Sequence, residues 1–270
     1  MPTVEENKSA WDGTYDWSQA GDEWSATWGG ADQQWYFSVL PRIHPFVPTG
    51  TILEIAPGFG RWTQFLKGLC GRLVVVDMAE KCIDGCRRRF AGEKHLEYHV
   101  NDGRSLEMVE DGSVDFAFSF DSLVHVELDV LDGYLRQLAK KLKPEGVAFI
   151  HHSNIGEHVE YLEKLKRWGV KDGHPLVKWG LAHPADHWRA RSVTAAKFRS
   201  AAEGAGLRCL TQEIVNWGTP RLIDCLSTLA LPGSGWRKET VVVRNPRFMD
   251  EAEEIRQKAP LYARTGLRAG

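Results

Sequence analysis

With 270 residues, 43% of them hydrophobic and 26% charged, the chain can bury one sizeable core and still carry an insertion or a lid. A formal net charge of -2 leaves no electrostatic footprint for nucleic acid, and no run approaches the roughly 18 apolar residues that a membrane span requires. The first nine residues lack an apolar signal core, and five cysteines without a C-x-x-C pair suit a reducing compartment, so a soluble, cytoplasmic protein is expected.

Five of the 11 tryptophans (Trp11, Trp17, Trp24, Trp28 and Trp35) open the chain in a segment with neither helical nor strand periodicity. Residues 1–45 are therefore expected to form a Trp-rich arm or lid. From Thr51 short apolar runs alternate with longer helix-like stretches, the pattern of βαβ units around a parallel sheet. Strands are expected over 51–55, 72–77, 96–100, 114–120 and 147–152, and helices near 60–69, 79–91, 104–109 and 129–142. Several of these strands are nearly all apolar, as when helices cover both sheet faces. Regularity then breaks, and 153–190 reads as an insertion over the C-terminal edge of the sheet. Ser192 is a candidate cap for a helix running to about 204. Two further strands are expected at 207–217 and 240–245, joined by a Gly-, Pro- and Ser-rich connection over 218–236. The fold class is thus α/β, with a main domain over 46–245 and a charged tail over 246–270.

The chemistry concentrates at the first strand-to-helix turn, L-E-I-A-P-G-F-G-R-W-T from Leu53 to Thr63. Glycine there lets a ligand approach the backbone while helix N–H groups face it. A dinucleotide fingerprint would require a third glycine where Thr63 stands. The acid four residues before Gly58 suits a cationic ligand group better than a pyrophosphate.

Glu54-x-x-x-Gly58-x-Gly60, followed by Asp77 ending the second strand, Asp102-Gly103 after the third and L-K-P-E-G before the fifth, resembles a class I S-adenosylmethionine-dependent methyltransferase. The similarity spans roughly residues 50 to 245. It implies a Rossmann-like, seven-stranded, mostly parallel sheet with an antiparallel last strand. It also implies S-adenosylmethionine as cofactor. Glu54, Gly58 and Gly60 would then hold its methionine portion, Asp77 the ribose hydroxyls and Asp102 the adenine amine, with Gly103 and Phe120 alongside. Two hydroxyl donors do call for an acceptor-only carboxylate, which Asp77 supplies.

Ligands in open α/β sheets sit beyond the C-terminal strand ends. F-S-F-D-S-L-V-H-V-E and I-H-H-S-N place Asp121, His125, His151 and His152 there, and methyl transfer to a hydroxyl needs in-line positioning and removal of a proton. These segments resemble bacterial sugar O-methyltransferases of polysaccharide and glycoside pathways, including the actinobacterial enzymes for methylated mannose polysaccharides. The resemblance implies a sugar or oligosaccharide acceptor and, in some relatives, a divalent ion held by carboxylates. Here a histidine pair stands where acids are expected. Alternation sends His151 and His152 to opposite sheet faces, and His152, nearer the strand end, is the expected base together with Asp121 and His125. Asp121 and His152 are also the candidate ligands for Mg²⁺ or Mn²⁺. Trp24, Trp28, Trp35, Tyr36, Trp179 and Trp188 are candidate platforms for a pyranose. Competing expectations are a lipid, phenol or other small-metabolite acceptor, or a non-catalytic nucleotide-binding subunit.

Overall fold

A computed structural model describes residues 3–261. Its sheet has eight strands: β1 (Thr49–Ile55), β2 (Cys70–Asp77), β3 (Leu96–Val100), β4 (Val114–Ser119), β5 (Leu142–Ser153), β6 (Arg208–Val215), β7 (Asp224–Ala230) and β8 (Val241–Asn245). They lie in the order β3-β2-β1-β4-β5-β7-β6-β8. The first five are mutually parallel. β7 runs antiparallel to both β5 and β6, and β8 is parallel to β6.

The expectation of seven strands with the last one antiparallel is corrected here. The antiparallel strand is β7, inside the stretch expected to be a connection, and β8 adds an outer edge. The cause is compositional. β7 reads D-C-L-S-T-L-A and is buried along its whole length, so the small residues that let neighbours pack on it resemble a loop. The helix expected over 104–109 is absent, and Thr194 rather than Ser192 caps Ala195–Gly204 by accepting from the Lys197 amide.

Strand alternation splits the core by sheet face. Leu53, Ile55, Val74, Val76, Ala117 and Ile150 face the helices Leu128–Lys141 and Ala195–Gly204. On the other face Ile52, Leu73, Val75, Phe116, Phe118 and Phe149 meet Trp28, Trp35, Val39 and Ile43 from the opening segment and Phe248 from the helix Phe248–Lys258. The Trp-rich segment is therefore two things. Its later part is one layer of the core, and only its earlier part reaches the strand ends. Among the described residues no helix is long and apolar enough to cross a membrane. The stretch expected as a charged tail begins with the helix Phe248–Lys258, whose Phe248 and Ala252 join the core, while residues 262–270 lie outside the described residues.

Candidate functional site

The strand ends of β1, β2 and β4 open into a cavity of about 360 Å³. It begins at the glycine turn, where the backbone takes left-handed φ at Ala56 (58°), Gly58 (59°) and Gly60 (87°). Left-handed backbone disfavours a Cβ. At Gly58 a Cβ would sit 3.0 Å from the Trp17 ring, which stacks on Phe59 with centroids 4.6 Å apart. At Gly60 a Cβ would fall 2.5 Å from the Phe90 ring. Gly60→Ala should therefore destabilise the fold by about 2–3 kcal/mol, combining left-handed strain with overpacking. A urea melt superimposable on that of the wild type would refute that account.

Of the residues expected to touch cofactor, Gly58, Asp77, Gly103 and Phe120 line this cavity, and Glu54, Gly60 and Asp102 do not. Asp77, ending β2, accepts from the Gly58 amide at 3.2 Å and the Ala79 amide at 2.9 Å. Burial pushes its carboxyl up to about 6 against these hydrogen bonds. Glu54 points beneath the turn, where Oε2 accepts from the Thr63 hydroxyl at 2.6 Å and Oε1 has no protein partner. Burial pushes this acid up to about 8, so near neutral pH it is largely protonated. Asp102 uses Oδ1 to accept from the Arg104 and Ser105 amides at 2.8 and 2.6 Å, the work of a turn acid. Its neighbour Asn101 faces the cavity instead.

At the far end the two histidines of β5 exchange their expected places. His152 faces the helix Ala195–Gly204, stacked on Phe198 at 3.7 Å and bonded to Ser227 Oγ at 2.8 Å, wholly buried and away from the cavity. Burial lowers its pKa to about 3. It is a neutral core residue, and its assignment as base and metal ligand is withdrawn. His151 is the one on the cavity side, with its ring against Phe120 and Trp217. Its Nδ1 accepts from the Asp121 amide at 3.1 Å, which helps hold Asp121 at φ 60°.

Asp121 lines the cavity, but its carboxylate is held by two guanidiniums, Arg61 Nη2 at 2.8 Å and Arg189 Nη2 at 3.7 Å. Arg189 in turn forms a bidentate pair with Asp224, at 3.0 and 2.7 Å, and His151 Nε2 lies 3.2 Å from the same carboxylate. Burial would raise the Asp224 carboxyl, yet Arg189 and His151 pull it below the ordinary range. Among the described residues no three His, Cys, Asp or Glu side chains converge as a metal would need. An acid neutralised by two arginines, with His152 on the opposite sheet face, does not fit a Mg²⁺ or Mn²⁺ site.

His125 lines the cavity. Its Nδ1 lies 3.0 Å from the Trp188 carbonyl, and burial together with the Arg189 charge lowers it to about 4. The opening segment closes this side. Asn7 Nδ2 donates to the His125 carbonyl, Lys8 Nζ to the Met78 carbonyl, and Trp11, Trp17 and Trp24 form a cluster on the cavity wall. Of the expected platforms only Trp24 lines the cavity. Trp28 and Trp35 are core, while Tyr36, Trp179 and Trp188 are exposed away from it. Arg61, Arg189 and Trp217 are cavity residues that the sequence pattern did not single out. Arg61 stands inside the quoted turn, and a cation directly behind the second glycine was the available signal.

A family model described as a methyltransferase domain matches residues 52–146. Phosphoethanolamine N-methyltransferase 1 of Triticum aestivum is 30% identical over 119 residues, 42% of this chain and 24% of its own length. The chain spans between 24% and 38% of the length of the curated relatives it matches. Among solved structures, a protein of Pyrococcus horikoshii aligns at a TM-score of 0.52 and 21% identity, over 74% of this chain and 93% of that one. A S-adenosylmethionine-dependent methyltransferase of Leishmania major aligns at 0.56 and 11% identity, over 84% and 82%. Residues 52–146 thus match a methyltransferase domain, and 84% of the chain shares the α/β fold of a S-adenosylmethionine-dependent methyltransferase.

Proposed function

We propose that the chain transfers the methyl group of S-adenosylmethionine to a hydroxyl of a small polyhydroxylated acceptor, a sugar or oligosaccharide. The observation that carries this reading is one cavity with the glycine turn and Asp77 at one end and Asp121, His125 and Arg189 at the other. When bound, S-adenosylmethionine supplies an electrophilic methyl on sulfur. Asp77 offers the ribose hydroxyls an acceptor-only group already oriented by two backbone amides. Arg61, the guanidinium beside the turn, would hold the cofactor's carboxylate. On the acceptor side, a His125 tautomer that donates from Nδ1 to the Trp188 carbonyl leaves the Nε2 lone pair to take the hydroxyl proton. The lowered pKa keeps that nitrogen unprotonated at neutral pH. The indole faces of Trp11 and Trp24 beside charged hydrogen-bonding groups suit a pyranose, which is apolar on one face and polar at its rim.

Two measurements test this. Asp77→Ala should weaken S-adenosylhomocysteine binding by about 1–3 kcal/mol, the worth of charge-assisted hydrogen bonds. Unchanged affinity in a folded variant would remove Asp77 from the cofactor site. A mass-shift screen of oligosaccharides, phenols and amines should show methylation of the sugars, and methylation confined to amines would overturn the hydroxyl assignment.

A further inference from the structure

Arg61 and Asp121 occupy one another across the cavity, their side chains 4% and 10% exposed. The guanidinium lies over two indoles, 5.2 Å from the Trp24 centroid and 4.6 Å from that of Trp62, and its Nη1 reaches only Ser25 Oγ at 3.5 Å. Aromatic contact on both rings fixes where this charge can be. Asp121 is less committed. It has a second cation in Arg189, and its carboxylate stands between the two guanidiniums.

We infer that Asp121 is an internal stand-in for the cofactor's carboxylate. It holds Arg61 until the cofactor's own carboxylate takes that partner, and then turns toward Arg189 and the acceptor hydroxyl. The inference rests on the cofactor placement proposed above. The physical reason is charge balance between side chains that solvent hardly reaches. Of the two arginines that line the cavity, Asp224 already claims Arg189 with two hydrogen bonds, whereas Arg61 is held to a carboxylate by one. Two carboxylates crowded on it would repel each other at low dielectric, so the two contacts compete. The acceptor's hydrogen-bonding partner would thus become available only after the cofactor is seated. Cofactor would bind first and acceptor second.

The test is calorimetric titration of the full chain with S-adenosylhomocysteine and with 5′-methylthioadenosine, which lacks the amino-acid portion. Asp121→Asn removes the competing charge and should tighten S-adenosylhomocysteine by about tenfold, the scale of one charge-assisted hydrogen bond. Its affinity for 5′-methylthioadenosine should not change. Equal tightening of both ligands, or unchanged or weaker S-adenosylhomocysteine binding, would overturn the inference. Failure of both ligands to bind the wild type would overturn the cofactor reading itself. Should Asp121→Asn not fold, as judged by circular dichroism, Asp121→Ser carries the same expectation.

Discussion

Arg189→Met should destabilise the protein by about 3–5 kcal/mol, the cost of leaving a buried charge without its partner. Asp224 is wholly buried on β7, and its two oxygens accept from Arg189 at 3.0 and 2.7 Å. Without that guanidinium the carboxylate keeps only His151, 3.2 Å away. The carboxyl must then take up a proton or draw in water, and either comes out of folding free energy. The double variant Arg189→Met with Asp224→Leu should recover much of the loss, because an apolar pair of similar volume needs no desolvated charges. Urea denaturation of the three proteins reads this directly. A single variant costing under about 1 kcal/mol would show the pair to be incidental. The same pair sets an acid limit. Because the Asp224 carboxyl is depressed in the folded state, its stabilisation is present above its unfolded value and is lost as pH falls through the folded one. His152 adds to this from higher pH. Its folded pKa of about 3 lies below the unfolded value, so the unfolded state binds the extra proton and stability declines as pH falls below about 6.5.

His125→Gln should lower turnover by about 10²–10⁴-fold, the range for removing a general base. Glutamine preserves much of the size and can still donate to the Trp188 carbonyl, but it offers no basic nitrogen to the cavity. The pH profile distinguishes loss of a base from loss of packing. The neutral imidazole is the working form, and burial and Arg189 place its protonation at about 4. Wild-type turnover should therefore stay high as pH drops past the ordinary histidine value and fall only near that lower one. The variant should lose that limb while binding S-adenosylhomocysteine as before. Turnover within threefold of wild type would leave the proton to solvent and reduce His125 to a wall of the cavity.

What the sequence disclosed about the site follows from which interactions are local. β1, β2, β4 and β5 were legible because strands covered on both faces are nearly continuous apolar runs, and the partly exposed edge strand β3 also falls on the expected residues, Leu96–Val100. Asp77 was legible because it ends such a run. β7 was not, since its burial comes from β5 and β6 on either side of it rather than from its own hydropathy. The histidine pair shows the same limit. Alternation does send His151 and His152 to opposite faces, but which face carries the cavity is decided by Phe120, just past the end of β4, and by Trp217 far along the chain. Asp102 shows it again, because a turn acid and a ligand acid look alike until the Arg104 and Ser105 amides are seen to occupy its carboxylate. Arg189 carried no readable signal, because its partners Asp224, on β7, and Asp121, just past β4, lie far from it in sequence.

The packing of the opening segment also bears on the order in which the molecule comes together. Asn7 reaches His125 across 118 positions, Arg42 reaches Glu213 across 171, and Trp28 packs against Phe248. The closure entropy of such long loops grows only logarithmically, so they weigh little on final stability, but contacts of this separation slow folding. Synthesis delivers these tryptophans well before the surfaces that receive them. Until β7 and the helix Phe248–Lys258 have emerged, Trp28 and Trp35 have no complete face to cover and remain apolar groups open to any partner. The tryptophans of this core layer are thus made before the surfaces they cover and are among the latest groups to settle.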